Sequence, residues 1–516
     1  MKLTRTRRFA AAAAVFAVVA LTASCTSTAA APQSDSSVVV VGFGGIDTLD
    51  PILADQSQSL WPSNALYDPL ISYDAAGALL PRLAESWETS PDATQLTFTL
   101  RDDVTFSSGN PLTAADVLYT LDRTQQVGTG VASLLADYVS AEAIDDHTVV
   151  ITLDRPNAIF LGGLSRIFIL DSAIMIENEG GDNGQTYLAT NAAGTGAYTL
   201  TDFRQGADVT LAVRDDYHAT EDGRPETIVL RATGDETAGR NALLAGELDL
   251  FSMNPTGAAA FAADDEFTVI DKADSGQMYA FLNTQSPELA DVRVRQAIAH
   301  AFDYEGQIQA MGGNAELATG ILPWDVTCRA NLTPAEQDAD AAAALLSDAG
   351  VEDLSIVVQY QTWNDAFVSA ATLLQSNLAD IGVDVELQTI TYETYVASLA
   401  AVETTPDVMI LSDFTLYPDA GTMLDRTYAT RTIGLGSNFG NYTNPKVDEL
   451  LTAALAESDE PARCGLYNEI EEIVSADTVS LNIASSVSSY IARDGISGYG
   501  DSNSIDAIDL RELRVG

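Results

Sequence analysis

The sequence predicts a multi-domain α/β protein, and three observations predict it. The chain has 516 residues, more than one hydrophobic core organises. Its 46% hydrophobic and 19% charged residues are those of a folding chain. Strand and helix signals alternate along its length, the pattern of an α/β fold.

Val38-Val39-Val40-Val41 is an unbroken β-branched run, as a buried strand requires. Gln95 to Arg101 alternates, with Leu96, Phe98 and Leu100 on one face. Thr113 and Asp116 have the spacing of a capping box and predict a helix start. Asp291 opens a helix whose Val294, Ala297, Ile298, Ala301 and Phe302 form one stripe. Ile356 to Val358 and Val383 to Leu387 read as strands. Between them Phe367, Ala371, Leu374, Leu378 and Ile381 form a second stripe, with Gly382 placed to end it. Asn444-Pro445 is an N-cap followed by proline at the first helical position, ahead of Val447, Leu450, Leu451 and Ala454. Val408 to Leu411 is a further strand.

The N-terminus reads as an export device. Lys2, Arg5, Arg7 and Arg8 precede an apolar run from Phe9 to Leu21, too short to span a membrane and right for a signal sequence. Leu21-Thr-Ala-Ser-Cys25 then resembles a bacterial lipoprotein signal. That resemblance implies cleavage before Cys25 and lipidation of Cys25, which anchors the chain at the outer face of the cell membrane. Residues 26–37 are small and polar, a flexible tether. The remaining cysteines, Cys328 and Cys464, are an even pair in an oxidising compartment: a candidate disulfide, or two separate buried thiols.

Charge and motifs narrow the function. With 74 acids against 25 bases, and only Lys2, Lys272 and Lys446 as lysines, nucleic acid is not the expected partner. His147, His218 and His300 are scattered, so no metal site and no cofactor are expected. Phosphate-cradling glycine loops, paired zinc ligands and nucleophile elbows are all missing from the sequence. Adjacent acids such as Asp102-Asp103 and Asp215-Asp216 arise by chance in so acidic a chain. No catalytic residues are assigned, and the chain is read as a non-enzyme.

Gly77 to Thr120, which contains Leu80-Pro-Arg-Leu-Ala-Glu-Ser-Trp87 and Val104-Thr-Phe-Ser-Ser-Gly-Asn-Pro-Leu-Thr-Ala-Ala-Asp-Val117, strongly resembles the signature of the family 5 extracellular solute-binding proteins. These are the peptide- and nickel-type binding proteins of ABC importers. Tyr67-Asp-Pro-Leu70, Gly194-Thr-Gly-Ala-Tyr198, Val292-Arg-Val-Arg-Gln-Ala-Ile298 and Tyr442-Thr-Asn-Pro-Lys446 follow in family order. The resemblance implies a two-lobed, type II periplasmic-binding-protein-like fold with an extra decorating domain. Lobe I is expected from 38–60, 195–280 and 485–516, the decorating domain from 61–194 and lobe II from 281–484. It implies a cargo of oligopeptides or an organic solute of similar size held between the lobes, permease and ATPase partners, and a monomer. Alternatives are an exported hydrolase, a sensor or adhesion module, and a non-peptide ligand such as an opine, an oligosaccharide or a metal complex.

Trp87, Phe98 and Phe106 are expected in the core, and Arg293 and Arg295 in ion pairs on their helix. The candidate ligand contacts lie where α/β clefts form, after strand ends. In peptide-binding relatives an Asp after the strand at 408–411 pairs with the ligand's α-amino group. Here a direct register puts Thr415 at that place, with Asp413 near it. Ser412, Asp413, Phe414, Tyr417 and Asp419 are therefore candidates. So are Trp363 and Asn364 after the strand at 356–360, Tyr279 and Phe281 near the lobe boundary, and Trp61; Trp324 is weaker.

Overall fold

The computed structural model describes residues 38–54, 57–74, 77–219, 222–273, 276–324, 326–499 and 508–516. The signal sequence, the lipidation of Cys25 and the tether expected from the sequence fall on residues 1–37, outside the described residues.

A twelve-stranded sheet organises the molecule. Its central strand, Ser480–Arg493, is fourteen residues long and serves two halves of the fold. The first part of that strand pairs with Gly276–Leu282 and Ala315–Leu317. The later part pairs with Leu250–Met253 and Phe267–Ala273. Strand Ser480–Arg493, and opposite it Phe267–Ala273 with Gly276–Leu282, thus run from one half to the other. The lobe boundaries expected at 280/281 and 484/485 fall inside strands, because each crossing strand belongs to both halves.

In the first half, Val38–Phe43 lies parallel to Thr227–Ala232, with Asp208–Val213 and Tyr198–Phe203 added antiparallel. A separate four-stranded sheet joins Ala84–Thr89, Gln95–Leu100, Thr148–Leu153 and Tyr138–Asp145. Leu96, Phe98 and Leu100 point inward, as their alternation predicts. Both sheets share one core with the C-terminal Leu510 and Leu513. Phe98 and Phe106 are fully buried there, whereas Trp87 only packs against the edge. Gly194 and Gly196 lie against the backbone of Ala65–Tyr67, where any side chain would strike main-chain atoms.

In the second half, Ser355–Tyr360, Asp384–Thr389 and Val408–Phe414 run parallel. Val408 and Ile410 face one core, with the helices Val292–Ala301, Ala339–Ala349 and Asp365–Asp380. Met409 and Leu411 face the other, with Ala420–Tyr428, Pro445–Ala456 and Glu460–Ala476. A strand covered on both faces is apolar at every position, which is why this segment shows no alternation. The helix starts read from sequence stand where caps require them: Thr113 N donates to Asp116 Oδ2 at 2.8 Å, Asp291 accepts from Arg293 N, and Asn444 from Lys446 N. Gly382 has φ +84°, the left-handed turn that closes a helix. Arg293 pairs with Asp291 at 2.5 Å. Arg295 departs from expectation: it is buried, and it donates to the carbonyls of Leu289, Ala290, Asp477 and Thr478 rather than to an acid.

Candidate functional site

Beside the crossing strands lies a pocket of about 730 Å³ built by both halves. The first half supplies Glu236, Ser252, Asn254 and Thr256, at and just beyond its strand ends. The second supplies Asn314, Trp363, Asn364 and Asp365, and the crossing strand supplies Ser486 and Ser488. Strand ends place such groups because side chains there leave the sheet's core without leaving its rigid frame. Trp363 is 72% exposed, an uncommon position for so large an aromatic. Its Nε1 donates to Gln361 Oε1 at 3.1 Å and its ring meets Phe367 edge-on, which fixes its orientation. Asn364 caps the following helix, its Oδ1 accepting from Ala366 N at 2.9 Å. Glu236 accepts from both the backbone and the side-chain amide of Asn254. Asn314 Nδ2 donates to Thr256 Oγ1 at 2.6 Å and so ties one half to the other.

A second tie lies after Val408–Phe414. Arg166 Nε donates to Leu416 O at 2.5 Å, and Tyr417 OH to Ile159 O at 2.9 Å. The Tyr417 ring stacks parallel to Tyr73, centroids 6.4 Å apart. Ala158 N donates to Leu455 O at 2.7 Å. Residues 415–418 therefore form a strap that seals one half on the other. Thr327 Oγ1 braces it from behind through Pro418 O at 2.6 Å. The disulfide Cys328–Cys464 joins the same backing to the N-terminal part of the helix Glu460–Ala476, with Cα atoms 4.9 Å apart.

The candidate acids are committed to the fold. Asp413, 6% exposed, accepts through both oxygens from Arg426 Nη2, at 2.8 and 2.9 Å. Asp419 caps the helix Ala420–Tyr428 by accepting from Gly421 N at 2.8 Å, takes a bond from Tyr467 OH at 3.2 Å and lies 3.6 Å from Arg463. Burial raises its pKa, and Arg463 opposes the shift. Ser412 is exposed and Phe414 half-buried at the same sheet edge. Thr415, at the direct register, is fully buried.

The aromatic candidates divide. Trp363 faces the pocket. Tyr279 and Phe281 are interior: Tyr279 OH donates to Ile321 O at 3.0 Å, and Phe281 packs on Phe439. Their strand lies between two others and is covered on both faces, so neither side chain reaches the pocket. Trp61 is 8% exposed and stacks on Phe43 in the first half's core. Trp324 is exposed and stands outside the pocket lining. Tyr417, expected as a ligand contact, contacts the other half instead. Sequence reasoning missed Arg426, Gly162, Glu236, Asn314 and Asp365. None lies in a motif; Arg426, Gly162, Glu236 and Asn314 meet partners more than ten residues away, and Asp365 follows directly on the candidates Trp363 and Asn364.

The family model described as bacterial extracellular solute-binding proteins, family 5 Middle, matches residues 78–434. The probable D,D-dipeptide-binding periplasmic protein of Escherichia coli K12 is 26% identical over 442 residues, which covers 83% of this chain and 84% of that protein. Among solved structures, a periplasmic binding protein of Helicobacter pylori in complex with the peptide STSA superposes with a TM-score of 0.78 at 23% identity, over 93% of this chain and 98% of that one. A binding protein of A. tumefaciens R10 in complex with agropinic acid gives 0.77 at 23% identity, over 93% and 99%.

Proposed function

The chain belongs to the bacterial extracellular solute-binding proteins of family 5 and is a substrate-binding protein of the ABC-transporter type; on that footing we propose that it captures oligopeptides, or an organic solute of similar size, between its halves. The loaded form is delivered to permease and ATPase subunits in the membrane. The protein acts as a monomer, held at the outer face of the membrane by a lipid on Cys25. It performs no chemistry on its cargo.

One observation carries this reading: the 730 Å³ pocket is lined by both halves and by the strand that crosses between them. That volume lies in the range of about 300–1,000 Å³ that small-molecule sites occupy. A ligand that touches both walls binds the closed arrangement better than an open one, and that differential affinity draws the halves together. Two relatives support the cargo class, one named for D,D-dipeptides and one solved with the peptide STSA.

Native mass spectrometry of residues 26–516, purified without unfolding, tests the proposal. Retained adducts with peptide masses are the expected result. A single non-peptide adduct replaces the peptide reading with the class it names. A bare mass, together with no thermal stabilisation by any of a panel of di- to tetrapeptides, rejects peptide capture.

A further inference from the structure

A second cavity, of about 430 Å³, lies wholly in the second half and shares no lining residue with the pocket between the halves. It sits where the helices Val292–Ala301 and Ala339–Ala349 meet the end of Glu460–Ala476 and the start of the crossing strand. Its volume is that of a small-molecule site.

Two oxygens at its floor are left unused by the fold. Ser475 lines the cavity, and its Oγ is buried without a hydrogen-bond partner among the described residues. Glu471 lies one helical turn earlier, so both side chains leave the same face of the helix. Glu471 is fully buried; Oε1 accepts from Ala330 N at 2.5 Å, and Oε2 has no partner among the described residues. Oε2 stands behind Gly320, another lining residue: a Cβ there would lie 3.4 Å from it. Glycine at that position puts no side chain between the carboxylate and the cavity. A buried carboxylate oxygen that accepts nothing is costly, and beside a cavity it is an acceptor for what enters.

Charge selects the entrant. No lysine or arginine among the described residues lines the cavity. Arg329, the base whose field reaches Glu471, directs Nη2 at Thr319 Oγ1 and Nη1 at Trp324 O. The rest of the lining includes apolar Ala299, Leu332 and Leu345, and the exposed Glu336.

We propose that this cavity is a second binding site, separate from solute capture, for a short aliphatic diamine. One ammonium bonds to Glu471 Oε2 and Ser475 Oγ, the carbon chain lies along Ala299, Leu332 and Leu345, and the other ammonium faces Glu336. An ammonium has three donors and no acceptor, the complement of two oxygens without partners. Its bond to the carboxylate is charge-assisted. Without a ligand the charge of Glu471 only destabilises; the ammonium offsets it. An amino acid fits worse, because its carboxylate would meet no base in the lining.

Calorimetry on residues 26–516 tests this with three probes: cadaverine, pentylamine and the neutral pentanediol of the same length. The titrations are run at about pH 8, where Glu471 has released its proton. Sodium chloride at about 0.15 M suppresses loose attraction of cations to so acidic a surface. Cadaverine is expected to bind, pentylamine several-fold more weakly, and the diol roughly ten- to hundredfold more weakly. Glu471→Gln keeps the bond from Ala330 N through its amide oxygen and turns N–H donors toward the ammonium. It should lose roughly ten- to hundredfold in affinity for both amines. Ser475→Ala leaves the carboxylate in place, should weaken both amines several-fold, and decides the matter if the first variant does not fold. Glu336→Gln should lower cadaverine to the affinity of pentylamine and leave pentylamine unchanged. Equal binding of cadaverine and the diol overturns the site. So does cadaverine that binds Glu471→Gln as tightly as the wild type, and so does a wild type that binds neither amine. Each of these outcomes leaves capture between the halves standing, since that pocket has other lining residues.

Discussion

Glu471 shows what one residue costs when the fold needs its shape more than its charge. It is fully buried in the helix Glu460–Ala476; one oxygen accepts from Ala330 N at 2.5 Å, and the other has no hydrogen-bond partner among the described residues. Burial pushes its pKa up to about 7, against the pull of Ala330 N and Arg329. Between about pH 4.5 and 7 the native state therefore keeps a proton that the unfolded chain has released. Stability falls as pH rises through that window, and the loss is complete above it, at about 3 kcal/mol. Glu471→Gln should gain about 1–3 kcal/mol at pH 8 and nothing at pH 4 in urea titrations. Parallel wild-type and variant curves would refute this assignment. At this scale the sequence is legible where chemistry is local. Asp291 and Asn444 act through backbone amides within two residues of themselves. It is not legible at Glu471 or Arg426, whose partners come from segments 141 and 13 residues away.

In the closure proposed above, the deciding element is the strap at 415–418 with the helical turn it meets, Phe160–Gly163. Gly162 has no side chain because none fits. A Cβ there would lie 2.7 Å from the Tyr417 ring and would strike the Tyr73 hydroxyl. Its φ is not left-handed, so alanine strains no backbone and conflicts only with the Tyr73–Tyr417 pair. Gly162→Ala is expected to fold and to destabilise the closed form by about 1–3 kcal/mol. Apparent ligand affinity should then fall roughly ten- to hundredfold. X-ray scattering of the variant with ligand present should show a larger radius of gyration than the liganded wild type; an unchanged radius and affinity would show that the strap does not govern closure. Strands and helices are largely legible, since their periods are written in adjacent residues. The strap reads as a ligand loop because sequence shows that Tyr417 follows a strand end, not that Gly162 awaits it.

For the whole molecule the dominant fact is a formal charge of −49. With 25 bases in the chain, most of the 74 acids can find no cation of their own. Those that do are paired mostly with arginine, as in the buried groups Arg123–Asp50 and Arg511–Asp68–Asp509. The remaining acids repel one another more strongly in the compact state than in the expanded one. Salt shortens the reach of that repulsion from about 10 Å at 0.1 M to about 3 Å at 1 M. The melting temperature should therefore rise as sodium chloride is raised over that range. A flat or falling curve would mean that the internal ion pairs, which salt weakens, outweigh the surface.

By itself the sequence determined what short-range physics writes into it: an α/β chain, the helix caps, the buried strands and, through long motifs, the family. Gly194 and Gly196 are part of that record, because a backbone that must touch another backbone tolerates no side chain. The tertiary structure alone decided the site. It turned Asp413 from a free carboxylate into the support of Arg426, set Asp419 on a helix end, and sealed Tyr279 and Phe281 inside the sheet. It also brought Glu236 and Asp365 to one pocket. The physical reason is that charge and exposure are properties of surroundings: a side chain's neighbours across the fold, not those along the chain, fix what it offers a ligand.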